Sequence, residues 1–141
     1  MRVLAFCVLC MLLVGCMKRT DLAPMPHITR FIVLPKDYEY PYSIPSDIGQ
    51  KDVGALVAFM DSVHSGWTRA YGVGFGPPSP AYYAHLYDGG RYVGYFAVGA
   101  GVLPGSAAYF QVRYGDVFAQ KRVTKAEANR FLDLIGVGGE L

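Results

Sequence analysis

The stretch Ala81-Tyr-Tyr-Ala-His-Leu-Tyr-Asp88-Gly-Gly90-Arg91-Tyr-Val-Gly-Tyr-Phe-Ala-Val98 decides the fold. Two runs rich in aromatic and small apolar residues, 81–87 and 91–98, flank an Asp-Gly-Gly turn signal, which predicts a β-hairpin. A second pair follows at 107–114 and 117–123, divided by Gly115-Asp116, while 99–106 with Pro104 makes a looser link. Four consecutive strands joined by short turns predict an antiparallel meander.

Helical patterns stand on both sides of it. From Lys51 the residues Val53, Leu56, Val57, Met60, Val63 and His64 form one stripe at helical spacing, and Gly66 is placed to end it. After the strands, Thr124-Lys-Ala-Glu127 reads as a capping box, with Ala128, Phe131, Leu132 and Ile135 as the buried face and Gly136 as the stop. The expected fold is therefore α+β: helix, four-stranded antiparallel meander and C-terminal helix, with both helices on one face of the sheet and a single domain over 47–141.

Upstream, Pro24, Pro26, Pro35, Pro41 and Pro45 punctuate the chain. Proline fixes φ and removes a donor, so 16–46 is expected to be an extended Pro/Tyr-rich tether, with the β-branched island 28–34 able to add an edge strand. Residues 72–80, with glycines at 72, 74 and 76 and three prolines, are expected to form a loop.

The chain has 141 residues, 52% hydrophobic and 17% charged, with a formal charge of +2. That suits one packed domain and argues against a nucleic-acid partner, whose affinity comes largely from concentrated basic charge. The N-terminus combines Arg2, a twelve-residue apolar run over 3–14, and Gly15-Cys16. The run is too short to cross a bilayer and is followed at once by Lys18-Arg19-Thr20-Asp21, so 1–15 reads as a secretory signal peptide. Cys7 and Cys10 fall inside it, which leaves Cys16 as the sole cysteine of the mature chain and excludes an internal disulfide.

The sequence Leu13-Val14-Gly15-Cys16 resembles the lipobox of bacterial lipoproteins. That resemblance covers the leader alone. It implies diacylglyceryl attachment at the Cys16 thiol, cleavage before it, and a membrane partner through that lipid. Met17 stands where an aspartate would signal inner-membrane retention, which implies an outer-membrane anchor facing the periplasm if the host is Gram-negative.

Groups for catalysis are sparse. Asp61 and His64, at i and i+3, are candidates for an acid–base or metal cluster if His85 joins them; the alternative is a histidine at a helix end and another in a strand. No Gly-x-Ser-x-Gly elbow is present, and the glycines at 72–76 lack the spacing of a nucleotide loop, so neither a catalytic residue nor a cofactor is assigned. The aromatic residues are the more unusual feature: eleven tyrosines, eight phenylalanines and Trp67. Strand alternation sets Tyr83, His85 and Tyr87 on one face, opposite Tyr82, Ala84 and Leu86; it separates Tyr92, Gly94 and Phe96 from Arg91, Val93 and Tyr95.

Helices cover one face only, so a tyrosine-rich surface ringed by Arg113, Lys121 and Arg122 is expected on the other. Trp67, Arg69, Tyr83, Tyr87, Tyr92 and Arg113 are the candidate binding residues, against the alternative that the tyrosines are cross-strand ladders. The expected function is a lipid-anchored envelope binding module, of inhibitor, immunity or assembly type, with an envelope protein as partner. A structural lipoprotein contacting peptidoglycan, or a hydrolase or metal-dependent enzyme, are the alternatives.

Overall fold

The computed structural model describes residues 19–35, 52–69, 80–101, 107–138 and 141. The leader, Cys16, the 36–46 part of the expected tether, the 72–79 loop and the 102–106 part of the inter-hairpin link lie outside the described residues.

Seven strands and two helices follow in the order β1 (Arg19–Thr20), β2 (Arg30–Pro35), α1 (Val53–Ser62), β3 (Trp67–Arg69), β4 (Tyr82–Asp88), β5 (Arg91–Gly99), β6 (Ala108–Tyr114), β7 (Val117–Val123) and α2 (Lys125–Leu134). All strands join one antiparallel sheet in the order β1-β3-β7-β6-β5-β4-β2. The four-stranded meander is thereby corrected to a seven-stranded sheet. β4 to β7 form its centre, but β2 extends one side and β3 with β1 the other.

The physical reason lies in the edges. A four-stranded meander leaves two long rows of backbone donors and acceptors unpaired. Here β2 pairs along the whole of β4, from Arg30 opposite Tyr87 to Pro35 opposite Tyr82. On the other side β3 pairs with β7 and β1 pairs with β3. Over 19–35 the expected tether is therefore part of the domain, and Ile28 and Phe31 enter the main core.

Two adjacent rows across the sheet define its faces. Val33, Ala84, Phe96, Val112 and Ala119 stand side by side on the helix-covered face. One residue along, Ile32, His85, Tyr95, Arg113 and Phe118 stand side by side on the outer face. On the covered face Phe59 of α1 and Phe131 of α2 meet Phe96 and Phe110, with ring centroids 5.0–6.3 Å apart. Tilted and edge-to-face contacts of this kind contribute beyond simple area burial.

Both helices are capped by side chains. Asp52 accepts from the Ala55 amide, and Thr124 and Glu127 form the full reciprocal capping box. At Gly94 there is no room for a side chain: a Cβ there would overlap the Arg113 carbonyl oxygen of β6.

Candidate functional site: the outer face of the sheet

Alternation makes the outer face an aromatic layer. Tyr83 and His85 stack at 5.7 Å with 16° between their planes, and Tyr95 stands edge-on to both at 5.3 and 6.2 Å. Tyr92 joins them through a register shift between Leu86 and Tyr87, which sets it opposite Tyr87. Simple alternation groups Tyr92 with Phe96 on the covered face; the bulge reverses that assignment. Tyr92 is 43% exposed, and its hydroxyl lies 3.3 Å from His85 Nδ1.

The face is not uniformly open. Towards β2, Ile32, Leu34 and Tyr87 form a small buried cluster, with the Arg30 guanidinium 5.1 Å from the Tyr87 ring centre. Tyr109 is also buried, its ring crossing the position a Gly99 side chain would occupy. Gln111 of β6, opposite Gln120, is buried as well, whereas Arg113 and Phe118, then Gln120 and Arg122, then Thr68 and Arg19 are half-buried or exposed.

Charge is distributed unequally between the two sides of the sheet. Arg19, Arg30, Arg113 and Arg122 all occupy outward strand positions, and among the described residues no carboxylate does. The acids lie elsewhere. Asp52, Asp61, Glu127 and Asp133 belong to the helices and their caps, Asp21 follows β1, Asp116 stands in the β6–β7 turn, and Asp88 at the β4–β5 hairpin pairs with His27 at 2.9 Å and Arg91 at 3.4 Å.

Burial in the aromatic layer shapes its titration. It pushes the Tyr83 and Tyr95 hydroxyls above the ordinary phenol value, with Tyr83 adding to the effect at Tyr95 and Arg113 opposing it. The Tyr109 hydroxyl is pushed up to about 12, chiefly by burial. His85 moves the other way, because burial disfavours its protonated form.

The remaining candidates separate. Trp67 is 0% exposed, donates from Nε1 to the Val63 carbonyl at 2.7 Å and meets Phe96 edge-to-face at 5.8 Å. It closes the core and is no surface anchor. Arg69 pairs opposite Ala119 and so sits on the helix side of the sheet, as does Lys121, whose Nζ donates to the Val63 carbonyl at 3.3 Å. Neither belongs to the tyrosine face. Tyr83, Tyr92 and Arg113 do, whereas Tyr87 is on that face but only 5% exposed.

Asp61, His64 and His85 do not converge. His85 is on the outer face, and α1 lies across the sheet from it. The His64 Nδ1 contact, 2.6 Å, is with the backbone carbonyl of Asp61. Both residues border a cleft of about 400 Å³ lined by Leu22, Ala23, Pro24, Met25 and Met60. Among the described residues no three His, Cys, Asp or Glu side chains gather as a metal site would require, and no helix is long and apolar enough to cross a membrane.

The residues that sequence reasoning missed here are Arg19, Arg30, Tyr95 and Phe118. Their signal is positional, since only the strand register shows that they share a face with Arg113. Comparison of the chain with family models, with curated proteins and with solved structures finds no match in any of the three.

Proposed function

We propose that this chain is a lipid-anchored binding module of the cell envelope, and that the outer face of its sheet is the contact surface. One observation carries the reading: a seven-stranded sheet whose helix-free face combines tyrosines with four arginines at outward strand positions, none of which is a carboxylate among the described residues. Aromatic rings with polar tips and rigid side chains supply contact area at little entropic cost, and arginine adds charge and directed donors. The Leu13-Val14-Gly15-Cys16 signature supports an anchor at Cys16. An anchor raises the local concentration of the face near anything on the same membrane.

Site-specific photocrosslinking in intact cells tests the surface. A photoreactive residue at Tyr95 is expected to form adducts that one at Arg130, exposed on α2, does not form. Combining the Tyr95 probe with Arg113→Ala is expected to diminish them. Equal adducts at both positions, or none at 95, overturn the reading. Cosedimentation with purified peptidoglycan that is insensitive to Arg113→Ala and Tyr83→Ala favours instead a structural role in contact with the cell wall.

A further inference from the structure

The open, arginine-bearing half of the outer face is also the half nearest the proposed lipid. Arg19 is the first described residue and opens β1, which forms one edge of the sheet. Only Met17 and Lys18 separate it from Cys16. Three residue steps of fully extended chain span at most about 11 Å, so an acylated Cys16 holds the β1 edge within about that distance of the lipid interface. Nothing resembling a long stalk separates the anchor from the sheet.

From that edge inward, the sheet presents Arg19 on β1, Thr68 on β3, Gln120 and Arg122 with Phe118 on β7, and Arg113 on β6. Three strand spacings cover roughly 14 Å, so these residues lie within one short span of the tethering point. We infer that this half of the outer face lies on the bilayer itself, and that its partner is a surface of anionic lipid headgroups. The inference rests on the proposed Cys16 anchor and names the partner of the proposed contact surface.

Charge complementarity selects the headgroup. Arg19, Arg113 and Arg122 are exposed at outward strand positions, none of which is a carboxylate among the described residues, with Asp21 and Asp116 at the ends of β1 and β6; guanidinium groups bind phosphate oxygens bidentately. Arginine near an anionic leaflet is attracted to it over about a Debye length. The helix side is electrically mixed, with Asp52, Asp61, Glu127 and Asp133 set against Arg69, Lys121, Lys125 and Arg130, so the excess of positive charge belongs to the outward strand positions.

The test uses the mature lipoprotein purified from membranes and reconstituted into vesicles. Because Cys16 is its sole cysteine and is consumed by the lipid, a thiol introduced by Gln120→Cys or Ala126→Cys takes a fluorophore at one place. Quenchers attached to lipid headgroups then report which face is near the bilayer. In vesicles rich in phosphatidylglycerol, quenching is expected at position 120 and not at 126. In phosphatidylcholine vesicles, in high salt, or with Arg113→Gln and Arg122→Gln together, quenching at 120 is expected to fall to the level at 126. Loss of two surface cations weakens the face's attraction to an anionic leaflet roughly ten- to thirty-fold.

Equal quenching at 120 and 126 in the anionic vesicles overturns the inference, as does quenching at 120 that is indifferent to lipid charge. Shielding of position 120 in intact cells, but in neither kind of vesicle, assigns the face to a protein partner and also overturns it. The mass of the extracted chain reads the anchor separately. An unacylated Cys16 overturns anchor and membrane contact together, whereas an acylated chain with equal quenching removes only the membrane contact.

Discussion

Trp67 shows how a single buried group ties two elements together. Its indole fills the space between β3 and Phe96, and its N–H satisfies the Val63 carbonyl at the end of α1, an acceptor also reached by Lys121. Trp67→Ala is expected to destabilise the fold by about 3–5 kcal/mol in urea unfolding, with Trp67→Phe costing less. Unchanged stability would be the result for a surface anchor. His85 gives a second prediction at this scale. Burial lowers its folded pKa below the unfolded value of about 6.5, so the unfolded state takes up the proton first as pH falls, and stability declines with it. Between pH about 7.5 and 5 the melting temperature is expected to drop, and His85→Gln to remove part of that slope. Gly94 is the third. A Cβ there collides with the β6 backbone, so Gly94→Ala is expected to cost about 1–3 kcal/mol or more in the same unfolding assay.

At the scale of elements, α2 depends on a cap that is visible in four consecutive residues. Thr124 accepts from the Glu127 amide at 3.2 Å, and the Glu127 carboxylate accepts from the Thr124 amide at 2.8 Å. Thr124→Ala is expected to cost about 1 kcal/mol, read by thermal or urea unfolding. The Thr124 backbone bond, ahead of its side chain, holds the Glu127 carboxyl below the ordinary carboxylate range. A depressed folded value means that the stabilisation is present above about pH 4.5 and is lost as pH falls through the folded value. Glu127→Gln is therefore expected to flatten the acid limb of the stability profile. The central hairpins are local in the same way. Asp88-Gly-Gly90 and Gly115-Asp116 turn the chain where their conformational freedom permits, which is why β4 to β7 are legible without the structure.

For the whole molecule, the decisive element is the segment before α1. A tether could be cut away with no effect on the domain, but 19–35 supplies β1, β2 and the core residues Ile28 and Phe31. Tyr114 reaches into the same segment, donating its hydroxyl to the Ala23 carbonyl at 2.5 Å. Phe31→Ala is expected to destabilise the fold by about 3–5 kcal/mol, and deletion of 17–35 to abolish cooperative unfolding in calorimetry. An unchanged transition after the deletion would return the segment to the role of a tether. The same integration brings the proposed anchor close to the sheet and sets the orientation on which the membrane inference depends.

What could be read from sequence alone is what depends on near neighbours. The helix stripe from Val53, the Thr124 cap, the two hairpins and the alternation of Tyr83, His85 and Tyr87 each rest on residues a few positions apart. The tertiary structure decided what depends on partners far along the chain. It paired β2 with β4 and β1 with β3, sent Trp67 to the core and Arg69 and Lys121 to the helix side, and kept His85 away from Asp61 and His64. It also turned Tyr92 outward by a one-residue shift and gathered Arg19, Arg113 and Arg122 on one face. The physical reason is that strand pairing is a long-range contact. Proline in 24–35 weakens the local preference for a strand without preventing an edge strand, and the edges of β4 and β7 supply the missing partners only once the sheet exists.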